Sequence, residues 1–142
     1  MLDGQTINMR AINILLVEDD PLDIIDVSRQ LDRQHIIYHL QTGHNGEEAI
    51  RLLEESAELP DIVLIDINMP KMNGLELLQT IRQREEWKNL NCFIITSSDE
   101  KIDRRAARLL GASGYITKPL KLNSPASMDA FNLMIDLINL KP

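Results

Sequence analysis

The chain has 142 residues, with 15 basic against 22 acidic side chains and a formal charge of −7, which is one domain's worth of acidic protein. That balance argues against nucleic acid and against an anionic membrane surface, since both are bound by cationic side chains. One cysteine, Cys92, excludes an internal disulfide and a cysteine-based zinc site, and points to a reduced, cytoplasmic setting.

In chain order, the opening MLDGQTINMR carries no apolar signal core. Short apolar runs follow at Ile12–Val17, Ile36–Leu40, Ile62–Ile67, Cys92–Thr96 and Gly114–Thr117. None nears the roughly 18 residues of a membrane span. Unbroken Ile, Val and Leu character over so few residues suits strands covered on both faces, as in a parallel sheet. Between the runs lie helical patterns with start signals. Asp20-Pro21 places a capping oxygen before a proline whose missing N–H costs nothing at a first helical position. Asn45…Glu48, Asn73…Glu76 and Ser97…Glu100 each have the capping-box spacing. Gly111 follows a helical stretch from Asp99 to Leu110, as a C′ glycine does. A last helix is expected from about Pro125 to Asn139, with Met128, Phe131, Met134, Ile135 and Ile138 on one stripe. No repeat or linker separates a second domain, so residues 1–142 read as one unit with its core at about 12–140.

Five βα units with short connections predict a doubly wound α/β fold around a parallel sheet. Function in such sheets lies beyond the carboxyl ends of the strands. There the first strand is followed by Glu18-Asp19-Asp20, the third ends at Asp66, the fourth at Thr96-Ser97-Ser98 and the fifth at Lys118-Pro119. Carboxylates about 4 Å apart repel by roughly 4 kcal/mol at an effective dielectric near 20, so the cluster either binds protons or holds a cation. Hard oxygen donors in a hydrated crevice suit Mg²⁺. With an ammonium at Lys118 and a hydroxyl at Thr96, the set supplies what phosphoryl transfer needs, namely positioning and charge neutralisation. Asp66 stands apart from the acidic run, and the Gly74-bearing turn after it is expected to leave it accessible as a nucleophile.

The blocks ILLVEDDP (14–21), DIVLIDINMPKMNGLELL (61–78), FIITSSDE (93–100) and GASGYITKPL (111–120) resemble the response-regulator receiver domains of two-component signalling. The resemblance runs from about residue 12 to 140. It implies the flavodoxin-like strand order 2-1-3-4-5, with helices on both faces. It implies further that Asp66 is the phosphoacceptor and that Glu18 and Asp19 organise Mg²⁺ (Mn²⁺ could substitute), with Asp66 and the backbone carbonyl of Asn68 as further ligands. Thr96 resembles the switch hydroxyl, Tyr115 the switch aromatic, and Lys118 the lysine before a cis Pro119. Asn68 and Ser98 occupy the positions that in the family flank the hydrolytic water and tune signal lifetime. A sensor histidine kinase would donate the phosphoryl group, and the receiver would catalyse only its own phosphorylation and dephosphorylation. A downstream protein or a phosphotransfer protein would read the result. The surface of the fourth helix, fifth strand and last helix is the one relatives use for partners or self-association, which admits a homodimer. The bare domain and the segment EDDPLDIIDVSRQL resemble single-domain regulators paired with phytochrome-type or other sensor kinases, without an output domain.

Three departures from the family pattern stand out. Glu18 replaces the more frequent Asp, Asn91-Cys92 stands where many members have a proline, and Leu120–Ser127 is long before the last helix. An aspartyl phosphohydrolase would carry D-x-D on its first strand, and a flavin module would avoid an acidic loop beside a cofactor phosphate. A protein-binding adaptor with vestigial phosphorylation would not need the complete residue set. Other residues read more plainly. Asp20 is a cap, and His35, His39 and His44 fall away from the rim without metal-ligand spacing. Trp87 should anchor the end of the third helix, and Cys92 should be a small buried hydrophobe. Arg104, Arg105 and Arg108 should form a solvated helix face.

Overall fold

A computed structural model describes residues 11–33, 36–96 and 101–118. Strands and helices alternate through them: β1 (Ile12–Val17), α1 (Pro21–Arg33), β2 (Tyr38–Gly43), α2 (Gly46–Glu55), β3 (Ile62–Asp66), α3 (Gly74–Gln83), β4 (Asn91–Thr96), α4 (Lys101–Leu109) and β5 (Gly114–Thr117). The strands form one parallel sheet in the order β2-β1-β3-β4-β5, the expected topology.

Period-two alternation divides the strand side chains into two cores. Leu15, Val17, Val63, Ile65, Cys92 and Ile94 pack with Ala49 and Leu53 of α2 and with Leu77, Leu78 and Ile81 of α3. Ile14, Leu16, Ile62, Leu64, Phe93, Ile95 and Ile116 pack on the other face with Val27 and Leu31 of α1. Both faces are thus covered, which is why β3 and β4 read as near-continuous apolar runs and β1 is broken only by Asn13. Each fully buried Ile, Leu or Phe stabilises the fold by about 1.5–3 kcal/mol, so these clusters are the main cohesive force.

Three strands differ in their bounds from expectation, the fourth only by starting at Asn91 rather than Cys92. The second strand was expected at Ile36–Leu40 but pairs as Tyr38–Gly43, in register from Ile12↔Tyr38 to Val17↔Gly43. It is an edge strand whose residues before Gly43 alternate half-buried and exposed, so apolar content marks its start poorly. Ile36 packs against the core just before it, whereas Ile37 is exposed. Ile67 was expected in the third strand; instead its carbonyl accepts from Met69 and Gly74 N–H at 3.2 and 3.0 Å, turning the chain.

The helix signals act as their chemistry requires. Asp20 accepts the Leu22 N–H at 2.9 Å and its carbonyl accepts from Ile24. Asn73 and Glu76 complete a reciprocal capping box. Asn45 caps α2 through the Glu48 N–H, but the Glu48 carboxylate turns to His44 instead. After α4, Gly111 takes φ +91, and the Ala112 and Gly111 N–H groups bond to Ala107 and Arg108, a Schellman closure. Trp87 is buried beneath the Arg84 guanidinium (4.3 Å to the ring), and Cys92 is buried, both as expected. The expected Ser97…Glu100 cap, the last helix with its Met128–Ile138 stripe, and Pro119 lie outside the described residues.

Gly74 joins fold to site. A Cβ there would lie 2.2 Å from the Asp66 carbonyl oxygen and 2.8 Å from the Ile67 Cα, both backbone atoms that cannot swing away. Gly74→Ala is therefore expected to lower unfolding free energy by about 3 kcal/mol in urea titration, the upper range for overpacking. A loss below about 0.5 kcal/mol, the scale of an indifferent surface change, would contradict the tight approach.

Candidate functional site

The same alternation that builds the cores carries past the strand ends. Leu16, Leu64 and Ile116 face α1, and the residues two further on, Glu18, Asp66 and Lys118, turn to the same side. The register Val17↔Ile65 sets Glu18 beside Asp66. Glu18 is 1% and Asp66 5% exposed. The Lys118 ammonium donates to Glu18 Oε1 at 2.5 Å and to Asp23 Oδ2 at 2.8 Å, and lies 3.6 Å from Asp66 Oδ2. Residues about a hundred positions apart thus meet at one rim.

They wall an open cavity of about 380 Å³, lined by Glu18, Asp19, Asp20, Pro21, Asp23, Asp66, Asn68 and Lys118. Five carboxylates face one ammonium there. Carboxylate oxygens of Glu18, Asp19 and Asp66 all lie within 4.8 Å of one another. Donors sharing a Mg²⁺ at about 2.1 Å must sit roughly 3–4 Å apart, so a small inward movement of these side chains suffices. The donor chemistry, all hard oxygen and anionic, fits a hard divalent cation.

The titration directions report the same excess of negative charge. Burial pushes the Glu18 carboxyl from an ordinary 4.5 up to about 7; the Lys118 hydrogen bond opposes this and the Asp66 charge adds to it. Asp66 is also raised, by burial first and by the Asp19 charge, against Lys118, a Glu18 hydrogen bond and the Asn68 backbone N–H. Burial alone would lower Lys118, but bonds to Asp23 and Glu18 and the Asp66 charge hold its ammonium above the ordinary value.

A folded pKa above the unfolded one contributes stability that is full below the unfolded value and lost as pH rises through the folded one. Without metal, Glu18 should therefore withdraw about 3 kcal/mol of stability between pH 4.5 and 7.5, at 1.36 kcal/mol per unit. Denaturant midpoints of the parent minus Glu18→Gln across that range measure it. A flat difference would contradict the assigned burial, and saturating Mg²⁺ should flatten it.

The other expected site residues are placed as follows. Asp19 is exposed at the cavity mouth, and Asn68, also exposed, lines it. Asp66 is not accessible in the expected sense: it is buried, and only the cavity opens onto it. Thr96 closes β4 opposite Thr117; its side chain and Ser98 lie outside the described residues. Tyr115 packs in the core cluster on the opposite face from Lys118, with the Arg104 guanidinium 5.0 Å from its ring. Arg104 also donates to Thr117 Oγ1 at 3.2 Å, so this arginine is not merely solvated. His39 and His44 are exposed and away from the rim, the latter paired with Glu48; His35 is outside the described residues. Sequence reading missed Asp23. An acid in a first helical turn looks like a partner for the helix dipole, and only the spacing from Asp19 to the same rim could have flagged it.

Residues 14–126 match the response regulator receiver domain. The alkaline phosphatase synthesis transcriptional regulatory protein PhoP of Bacillus subtilis is 32% identical over 117 residues, 82% of this chain and 45% of that protein. The chain thus spans under half of that relative. Among solved structures, the phosphorylated cyanobacterial phytochrome response regulator RcpA matches with a TM-score of 0.72 at 26% identity, covering 90% of this chain and 91% of that one. The Mn²⁺-bound response regulator Rcp1 matches with a TM-score of 0.71 at 28% identity, covering 91% and 93%. Among the described residues no helix is long and apolar enough to cross a membrane. That match begins inside β1, continues past β5 and so includes residues of all five strands, and the chain belongs to the response regulator receiver family of two-component systems.

Proposed function

We propose that this chain is a phosphorylation switch that accepts a phosphoryl group on Asp66 from a histidine kinase, with Mg²⁺ as its cofactor and Mn²⁺ able to substitute. One observation carries this reading: the Asp66 carboxylate lines an acidic cavity, within 4.8 Å of the Glu18 and Asp19 oxygens and 3.6 Å from the Lys118 ammonium. An Asp66 oxygen attacks the phosphorus of a phosphohistidine. The O–P bond forms as the N–P bond breaks, and the departing imidazole keeps the electron pair and takes up a proton. When bound, the divalent ion supplies charge neutralisation for carboxylate and phosphoryl oxygens. Glu18, Asp19, Asp66 and the Asn68 backbone carbonyl would hold it. Lys118, 3.6 Å from Asp66, meets the new phosphoryl oxygens, so the residues act by positioning and charge.

Thr96, at the rim end of β4, bonds a phosphoryl oxygen in the modified form. Tyr115 then leaves its stack under Arg104 for the space that Thr96 vacates by moving inward, and the surface of α4, β5 and the helix expected from about Pro125 changes. That is a shift between two conformations, read by a partner protein, a phosphotransfer protein or a second copy of the chain. Asn68 and Ser98 set how readily water reaches the acyl phosphate. The chain turns over no external substrate beyond its own phosphorylation and dephosphorylation.

Incubation with acetyl phosphate and Mg²⁺, followed by intact mass and peptide mapping, tests this. The expected result is the mass of one added phosphoryl group, mapped to Asp66 and abolished by a chelator. An unchanged mass with both Mg²⁺ and Mn²⁺, or modification elsewhere, refutes it.

A further inference from the structure

Lys118 has two close carboxylate partners, and they are not equivalent. Glu18 belongs to the trio whose oxygens converge for a cation, whereas Asp23 does not. We propose that Asp23 is a positioning residue for phosphoryl transfer, holding the Lys118 ammonium at the cavity when Glu18 is engaged by the cation. This rests on the reading of Asp66 as phosphoacceptor.

An ammonium has three protons to place. Glu18 and Asp23 now take two of them, at 2.5 and 2.8 Å, and Asp66 at 3.6 Å is an ionic neighbour beyond hydrogen-bond length. A Glu18 carboxylate engaged by a cation would be drawn away from Lys118, whose ammonium a neighbouring dication would also repel. A lysine on a flexible stem would then swing out toward water. Asp23 prevents this. It sits in the first turn of α1, whose placement is fixed by the Asp20 cap and by Val27 and Leu31 packed under the sheet. The tether is therefore anchored on a rigid element. It also leaves the third ammonium proton free for an oxygen carried outward on phosphorylated Asp66.

The alternative is that Asp23 merely adds negative charge near the metal or supports the α1 terminus. A double-mutant cycle separates these roles. Asp23→Asn should slow phosphorylation by acetyl phosphate about five- to tenfold, a charged hydrogen bond's worth of transition-state stabilisation. In a Lys118→Met background the same change should have no further effect, and Asp23→Glu should restore part of the rate. Equal slowing in both backgrounds, or no slowing in an active parent, overturns the proposal. A second readout needs no turnover: in a crystal structure of the chain loaded with Mg²⁺ and trifluoroberyllate, a phosphoryl mimic, the Asp23–Lys118 bond should persist while the Glu18–Lys118 bond opens. An Asp23 carboxylate turned away from Lys118 there also overturns it. A parent chain that takes up no phosphoryl group removes the function of Asp66 itself and this role with it, and is told apart by the parent's own mass.

Discussion

Asp66→Asn is expected to take up no phosphoryl group, to bind Mg²⁺ more weakly, and to melt higher than the parent when metal is absent. The first effect follows because an amide oxygen cannot act as the nucleophile that yields an acyl phosphate. The second follows because one of three converging carboxylates is gone. Losing even an outer partner of a metal site typically weakens binding 10–100-fold, so a loss of about tenfold or more is expected by calorimetric titration. The third has the opposite sign. Asp66 is raised above its ordinary value in the fold, burial outweighing the help of Lys118, so at pH 7 its charge opposes folding. An amide of nearly the same shape removes that opposition and can donate to Glu18. Relief of that opposition raises the Tm, by roughly 3 °C for each kcal/mol in a chain of this size. Damage to the fold would lower all three quantities together, so the rise in Tm is the discriminating result. A lower Tm without metal, or a normal phosphoryl uptake, would count against the assignment.

Much of this site was visible in the sequence because two periodicities carry across the strand ends. Once Ile12–Val17, Ile62–Asp66 and Gly114–Thr117 are strands of one parallel sheet, Glu18, Asp66 and Lys118 must share a rim, and period-two parity sets them on one face. What stayed hidden depends on pairing and packing rather than pattern. The edge strand β2 is half solvated, so its apolar run at Ile36–Leu40 misplaces it by two residues. Asp23 reaches Lys118 through the packing of α1 on the sheet by Val27 and Leu31, which no local signal around Asp23 encodes. Arg104 looked like one of three solvated arginines, yet it alone has an aromatic ring and a threonine hydroxyl within reach on β5.

Lys118→Met should move the metal and phosphoryl readouts in opposite directions. Methionine keeps most of the stem's volume and removes the charge. Glu18 and Asp66 then lose their buried counter-ion, a change that costs about 3–5 kcal/mol where nothing compensates. Here protons compensate in part, since both carboxyls are already raised. The loss of stability should thus be small at pH 5, where Glu18 is protonated, and approach that range at pH 8. Added Mg²⁺ should reverse it, because the cation neutralises the same oxygens. Metal affinity at pH 8 should rise about tenfold, since no ammonium competes for Glu18 or repels the ion. Phosphorylation by acetyl phosphate should nonetheless fall about 10²-fold or more, the scale of removing one preorganised donor to a developing oxyanion. Calorimetry for the metal and mass-resolved time courses for the phosphoryl group provide both numbers on one preparation. A misfolded variant would lose metal and phosphoryl group together, and a lysine serving only as structural counter-ion would leave the metal-saturated rate intact. Tighter metal with slower transfer is the pattern left only to an ammonium that reaches the phosphoryl oxygens.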